Sequence, residues 1–270
     1  MIFTIGGRSA YVYTAGHALD PALPSVAFVH GAGAQHTSWT QQSRYFAYHG
    51  WNVLAVDLPG HGRSDGPTLD SVPKMADWIA SVLDAAKIGH AAVVGHSMGS
   101  LVTLDLAARH PARIDKAVLA GTVVPMPVSQ ALLDAARDDP HRAYDMINLW
   151  GHAPASYTRG NAVPGLWLMG YYLRLLERNA PDTLYRDFAA CNSFADGFGD
   201  AAKIKCPTLL ILGARDAMTP AKKAMELAKR IAGARTVLID TSGHGLMAEE
   251  PDRVRNALIE FLGSPDREDA

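Results

Sequence analysis

The chain is poor in the features that mark several classes of protein. It holds two cysteines, Cys191 and Cys206, in 270 residues. They have no metal-ligand spacing, and a pair this sparse reads as buried thiols rather than a disulfide framework. No apolar run is long enough to span a bilayer, and no basic patch with interleaved aromatics is present to hold nucleic acid. Residues 1–7 lack the charged leader, apolar stretch and cleavage site of a signal peptide, so a cytoplasmic location is the expectation. There is no phosphate loop, dinucleotide fingerprint or zinc-binding spacing, and no metal or organic cofactor is expected. A net charge of −2 says nothing about partners.

What the chain does have is apolar mass, with 48% hydrophobic and 19% charged residues. That balance fits a globular protein with a large core and excludes a disordered chain. The length admits one α/β domain with a substantial insertion, and no linker separates two halves. No tandem repeat appears, and residues 264–270 read as a polar, frayed tail.

The sequence is organised around Gly95-His96-Ser97-Met98-Gly99, which follows the apolar run 91–94 and leads into a helical pattern from Leu101. A strand that turns sharply into a helix around one serine needs small flanking residues, because no side chain fits between strand and helix. Gly95 and Gly99 meet that need. The turn lifts the Ser97 hydroxyl off the sheet edge, beside free N–H groups at the helix start, a geometry suited to acyl transfer.

Other apolar runs read as strands of a mostly parallel sheet alternating with helices. A hairpin around Gly6-Gly7 comes first, then strands over 26–29, 53–56 and 117–121, and later 207–212 and 236–239. Helices are predicted over about 39–48, 71–86, 220–231 and 251–262. The alternation stops from 122 to 203, where helical patterns carry Met126, Trp150, Trp167, Met169, Tyr171, Tyr172, Phe188 and other large side chains. This segment is expected to be an inserted helical lid on a core of residues 1–121 and 204–270. Most of its large side chains should form the lid's own core, with Trp150, Trp167, Met169 and Tyr171 the candidates for lining a pocket.

A serine hydroxyl needs a base to take its proton and a carboxylate to orient that base. His244, in Ser242-Gly243-His244-Gly245 after a strand, should reach the same sheet edge as Ser97. His96, His30 and His61 are assigned to structural positions. Asp216 follows another strand in Gly213-Ala214-Arg215-Asp216, and the strand end at 121–125 holds no competing carboxylate. The glycine-rich loop His30-Gly31-Ala32-Gly33 caps a central strand and can bring the Ala32 N–H toward the serine.

These residues, with the turn Asp57-Leu58-Pro59-Gly60-His61-Gly62-Arg63-Ser64 and the chain order Ser, Asp, His, resemble an α/β-hydrolase of the lidded, esterase and lactonase type. The resemblance covers nearly the whole chain. It implies an α/β fold with a mostly parallel sheet flanked by helices and a catalytic triad of Ser97, Asp216 and His244. It also implies an oxyanion hole from the N–H groups of Ala32 and Met98. Epoxide hydrolases and haloalkane dehalogenases of the fold attack with an aspartate, where this chain has Ser97. Carbon–carbon hydrolases usually resemble His-Gly-x-Gly-Pro-Gly, where Ala34 and Gln35 stand here. Cofactor-free perhydrolases tend to have proline where Gly33 stands.

The expected activity is hydrolysis of a small carboxylic ester or lactone with a hydrophobic part, through an acyl-enzyme, by a monomer or homodimer. Neither nucleic acid nor membrane is an expected partner. Carbon–carbon bond hydrolysis, thioester or amide hydrolysis, and a hydrolase-fold ligand receptor are the alternatives, because this fold hosts many reactions.

Overall fold

Alternation of apolar side chains along each strand decides how the sheet is covered. Successive residues of a strand point to opposite faces. Ala27 and Val29 join the apolar layer on one face, and Val26 and Phe28 the layer on the other. The strand Ile114–Ala120 divides likewise, with Ala117 and Leu119 on the first face and Val118 and Ala120 on the second. A sheet apolar on both faces must carry helices on both. The helices Val72–Ala85 and Met98–Arg109 cover one side, and Thr40–Ala47 and Pro251–Leu262 the other. Burying a side chain such as Phe28, which is fully covered, contributes about 1.5–3 kcal/mol.

The computed structural model describes residues 1–158, 162–163 and 165–263. The expected polar tail at 264–270 lies outside them. The strands are β1 (Ile2–Ile5), β2 (Arg8–Tyr13), β3 (Ser25–Val29), β4 (Asn52–Val56), β5 (Ala91–His96), β6 (Ile114–Ala120), β7 (Thr208–Gly213) and β8 (Arg235–Ile239). They form one sheet in the order β1-β2-β4-β3-β5-β6-β7-β8. β1 and β2 form the antiparallel hairpin, with Ile5 opposite Arg8 and both Gly6 and Gly7 at positive φ, as a two-residue turn of this hand requires. β2 also runs antiparallel to β4, and every pairing from β4 to β8 is parallel. This is the α/β-hydrolase fold.

Between β6 and β7 the described chain is helical: Gln130–Asp138, Pro140–Gly151, Ala155–Thr158, Leu168–Leu176, Thr183–Ser193 and Gly197–Ala201. Leu132, Leu133, Ala136, Tyr144, Leu184 and Phe188 of this insertion pack into a separate apolar cluster. No helix among the described residues is long and apolar enough to cross a membrane.

Parallel strands present their carboxyl ends on one edge, so the loops that follow β3, β5, β7 and β8 come together there. Those loops carry Ala32, Ser97, Asp216 and His244.

Candidate active site

Ser97 sits between β5 and the helix Met98–Arg109 with φ 52° and ψ −118°. Left-handed backbone at a non-glycine residue is strained and persists only where the surroundings impose it. Close packing imposes it here. A Cβ on Gly95 would lie 2.0 Å from the Gly99 carbonyl oxygen, and one on Gly99 would lie 2.4 Å from that of Val29. The Ser97 N–H is anchored to the Ala120 carbonyl at 2.9 Å.

Asp216 and His244 are brought together from the loops after β7 and β8. His244 Nδ1 donates to Asp216 Oδ2 at 2.8 Å, and both residues are buried. The carboxylate also accepts from the N–H groups of Met218 (2.8 Å) and Thr219 (2.7 Å) and from the Thr219 hydroxyl (2.6 Å). Burial pushes the Asp216 carboxyl up, but the adjoining His244 and these hydrogen bonds outweigh it and hold the pKa at about 2. The imidazole therefore faces a permanent anion on its Nδ1 side, which fixes its other nitrogen as the proton acceptor. Sequence reasoning missed Thr219, whose oxygen also lies 3.1 Å from His244 Nδ1. Its place three residues after Asp216 was the available signal.

The backbone of His244 is held from three sides. Its carbonyl accepts from His96 Nε2 at 2.8 Å, and its N–H donates to the Gly151 carbonyl of the insertion at 2.9 Å. Glu249 receives the N–H groups of Gly243 (3.0 Å) and Ala153 (2.8 Å), tying the histidine loop to the insertion again. Burial and neighbouring histidines push His96 down to about 3 and His30 down to about 4. Both are neutral near pH 7. His30 Nδ1 donates to the Gly31 carbonyl and its Nε2 accepts from the Leu58 N–H.

Two cavity arms share Ser97, His244, Ala32, Phe188 and Met218 on their walls. The larger, about 170 Å³, is bounded by Met126, Val128, Leu132 and Trp150. The smaller, about 60 Å³, is bounded by Ser38, Ile147, Tyr172, Leu175 and Met247. The Ser97 hydroxyl makes no hydrogen bond to a described residue. The N–H groups of Ala32 and Met98 likewise donate to no described acceptor, and they flank Ser97 from the glycine loop and the helix start.

Of the insertion residues expected on the pocket wall, Trp150 lines the larger arm. Trp167, Met169 and Tyr171 line neither. Trp167 is 74% exposed, and its ring lies so close over Gly170 that a Cβ there would meet it at 2.2 Å. Met169 and Tyr171 belong to the helix Leu168–Leu176, where each residue is turned by about 100° from the last. Tyr172 takes the wall position that its neighbour was expected to hold.

A model of the Alpha/beta hydrolase family matches residues 26–257. The chain is similar to a (E)-2-((N-methylformamido)methylene)succinate hydrolase from Acinetobacter baylyi, at 27% identity over 87% of this chain and 88% of that one. It is 30% identical to a pimeloyl-[acyl-carrier protein] methyl ester esterase from Neisseria meningitidis over 84% of this chain and 88% of the other. Among solved structures, the enol-lactonase from Burkholderia xenovorans shares the fold, with a TM-score of 0.85, 24% identity and coverage of 97% of this chain and 99% of that one.

Proposed function

Since the chain belongs to the alpha/beta hydrolase family and is a hydrolytic enzyme, we propose that it cleaves a neutral carboxylic ester or lactone through an acyl-enzyme on Ser97. The observation that carries this reading is the shared cavity wall. Ser97 in its strained elbow and His244, paired behind with the buried Asp216, border the same two arms.

Ser97 Oγ attacks the carbonyl carbon while His244 Nε2 takes its proton. The oxyanion forms between the N–H groups of Ala32 and Met98, which have no other described acceptor to give up. His244 then protonates the leaving alcohol, the acyl group stays on Ser97, and a water activated by the same imidazole releases the acid. Asp216, still ionised well below neutral pH, steadies the imidazolium at both steps. The insertion over residues 122–203 acts as the lid, with Trp150, Leu132 and Phe188 supplying apolar wall.

The absence of lysine and arginine from the described walls of both arms supports a neutral substrate. A carboxylate buried there would have no counter-charge, which costs several kcal/mol. In this respect the site differs from what a succinate, the class named for the Acinetobacter relative, would need. Carbon–carbon bond hydrolysis of a charged diketone acid is disfavoured on the same ground.

The test is a screen of esters and lactones of graded acyl and alcohol length, with anionic analogues and a carbon–carbon cleavage substrate included. Multiple turnover on neutral esters or lactones, with anionic analogues poor, is the expected outcome. Turnover confined to the carbon–carbon substrate, or a single turnover of the kind a ligand receptor shows, would replace this reading.

A further inference from the structure

The smaller cavity arm carries hydrogen-bonding capacity that its walls do not use. It is mostly apolar, yet Ser38 Oγ and the Tyr172 hydroxyl, both from residues of its wall, are buried with no hydrogen-bond partner among the described residues. Ser38 is only 8% exposed, so bulk water does not satisfy it. Behind Tyr172 stands His152, whose ring meets the tyrosine ring edge-on at 4.6 Å. His152 Nδ1 donates to the Asn148 carbonyl at 2.9 Å, which leaves Nε2 an acceptor, also buried and without a partner among the described residues. A Cβ on Gly245 would lie 3.0 Å from His152 Nε2 and 3.3 Å from the Tyr172 oxygen. The glycine that follows His244 therefore keeps both polar atoms clear of a side chain.

Buried polar groups without partners are rare, and each one asks for a ligand or an ordered water. Burial raises the Tyr172 phenol well above its ordinary value, so it remains a donor. The Ser38 hydroxyl can donate too. Two donors on a described wall that carries no lysine or arginine suit an uncharged oxygen.

We infer that the smaller arm is a substrate subsite for a neutral oxygen acceptor, a carbonyl, ether or hydroxyl oxygen, held by Ser38 and Tyr172. The substrate is then an oxygen-functionalised ester or lactone, with that oxygen set apart from the scissile carbonyl. This rests on the hydrolase reading above. It goes beyond that reading in assigning a specificity role to two residues outside the triad.

The experiment compares matched ester pairs in which one methylene is replaced by a carbonyl or an ether oxygen, in an acyl series and in an alcohol series. The full-length enzyme should favour the oxygen-bearing member of one series by roughly tenfold or more in kcat/KM, since one correctly placed hydrogen bond in a dry site is worth about that. Ser38→Ala and Tyr172→Phe should each pull that ratio toward one, and Ser38→Thr, which keeps the hydroxyl, should preserve it. Because both members of a pair are measured on one preparation, any misfolded fraction cancels, and if one variant fails to fold the other carries the test. No preference in either series, or a preference that survives both hydroxyl-deleting variants, would show that the two hydroxyls hold only water. Failure of the underlying hydrolase reading looks different: the unmodified enzyme would turn over neither member of any pair.

Discussion

The carboxylate of Asp187, on the insertion helix Thr183–Ser193, lies 2.8 Å from His61 Nε2 in the core and 2.8 Å from the N–H of Gly33 in the glycine loop. His61 Nδ1 also faces an acceptor, the Pro59 carbonyl at 3.1 Å, so the protonated ring can donate from both nitrogens, and the Asp187 charge favours that form. Asn179 holds the same residue from its other end, donating to the Gly33 carbonyl at 2.5 Å. Gly33 follows Ala32, the assigned oxyanion donor. The insertion thus grips the loop from which the oxyanion would be held.

Asp187→Ala removes the acceptor from two buried donors, the Gly33 N–H and His61 Nε2–H. It should destabilise the fold by roughly 2–4 kcal/mol, measured by urea unfolding, and lower kcat more than it raises KM. Unchanged stability would show that the contact is not maintained in solution.

The same pair makes stability depend on pH. Burial alone lowers the pKa of His61, but the Asp187 charge and hydrogen bond outweigh it and the net shift is upward. A group whose folded pKa is raised contributes stability that is complete below its unfolded value, about 6.5, and lost as pH climbs through the folded value. Melting temperature should therefore fall as pH climbs above about 6.5. In Asp187→Asn, where His61 loses its hydrogen-bonded anion and keeps only the more distant charge of Asp57, that fall should be shallower. Parallel profiles for the two proteins would remove His61 from the account.

The Asp216 shift has the opposite sign. Its pKa is depressed to about 2, so its contribution is present above the unfolded value of about 3.9 and is lost only as pH drops through about 2. Asp216→Asn should lower kcat by about 10⁴-fold, as loss of the orienting carboxylate does in serine triads. It should also leave a protein less sensitive to acid. A mild kinetic effect would mean that another group orients His244.

Much of this arrangement was legible in the sequence because it is written locally. Gly95 and Gly99 stand two residues either side of Ser97, and the strain they permit is a property of that short segment. The alternation of Val26, Ala27, Phe28 and Val29 likewise carries the two-faced burial of β3. What could not be read was contact across the insertion. Asp187 and His61 are 126 residues apart, and nothing in either segment names the other. Tyr171 and Tyr172 are equally bulky, so composition marked the pair, while helix phase, set by packing, decided which one reached the cavity. Trp167 was misleading for a related reason: size suggests burial, but its ring is accommodated on the bare backbone of Gly170.

The cavity walls separate the two tryptophans experimentally. Trp150 borders the larger arm and Trp167 lies on the surface. Each methylene of substrate buried against apolar wall is worth about 0.8 kcal/mol, nearly fourfold in specificity. Trp150→Ala should flatten the dependence of kcat/KM on chain length, and Trp167→Ala should not. The reverse pattern, read from the same graded ester series, would place the binding surface outside the described arms.

The most direct measurement is covalent labelling of the intact enzyme by an organophosphonate, followed by intact mass and peptide mapping. One adduct per chain on Ser97 is expected, absent in Ser97→Ala and slowed by several orders of magnitude in His244→Ala, with ester turnover lost in parallel. An adduct on a different residue, or undiminished labelling and turnover in Ser97→Ala, would contradict the assignment of Ser97 as the nucleophile.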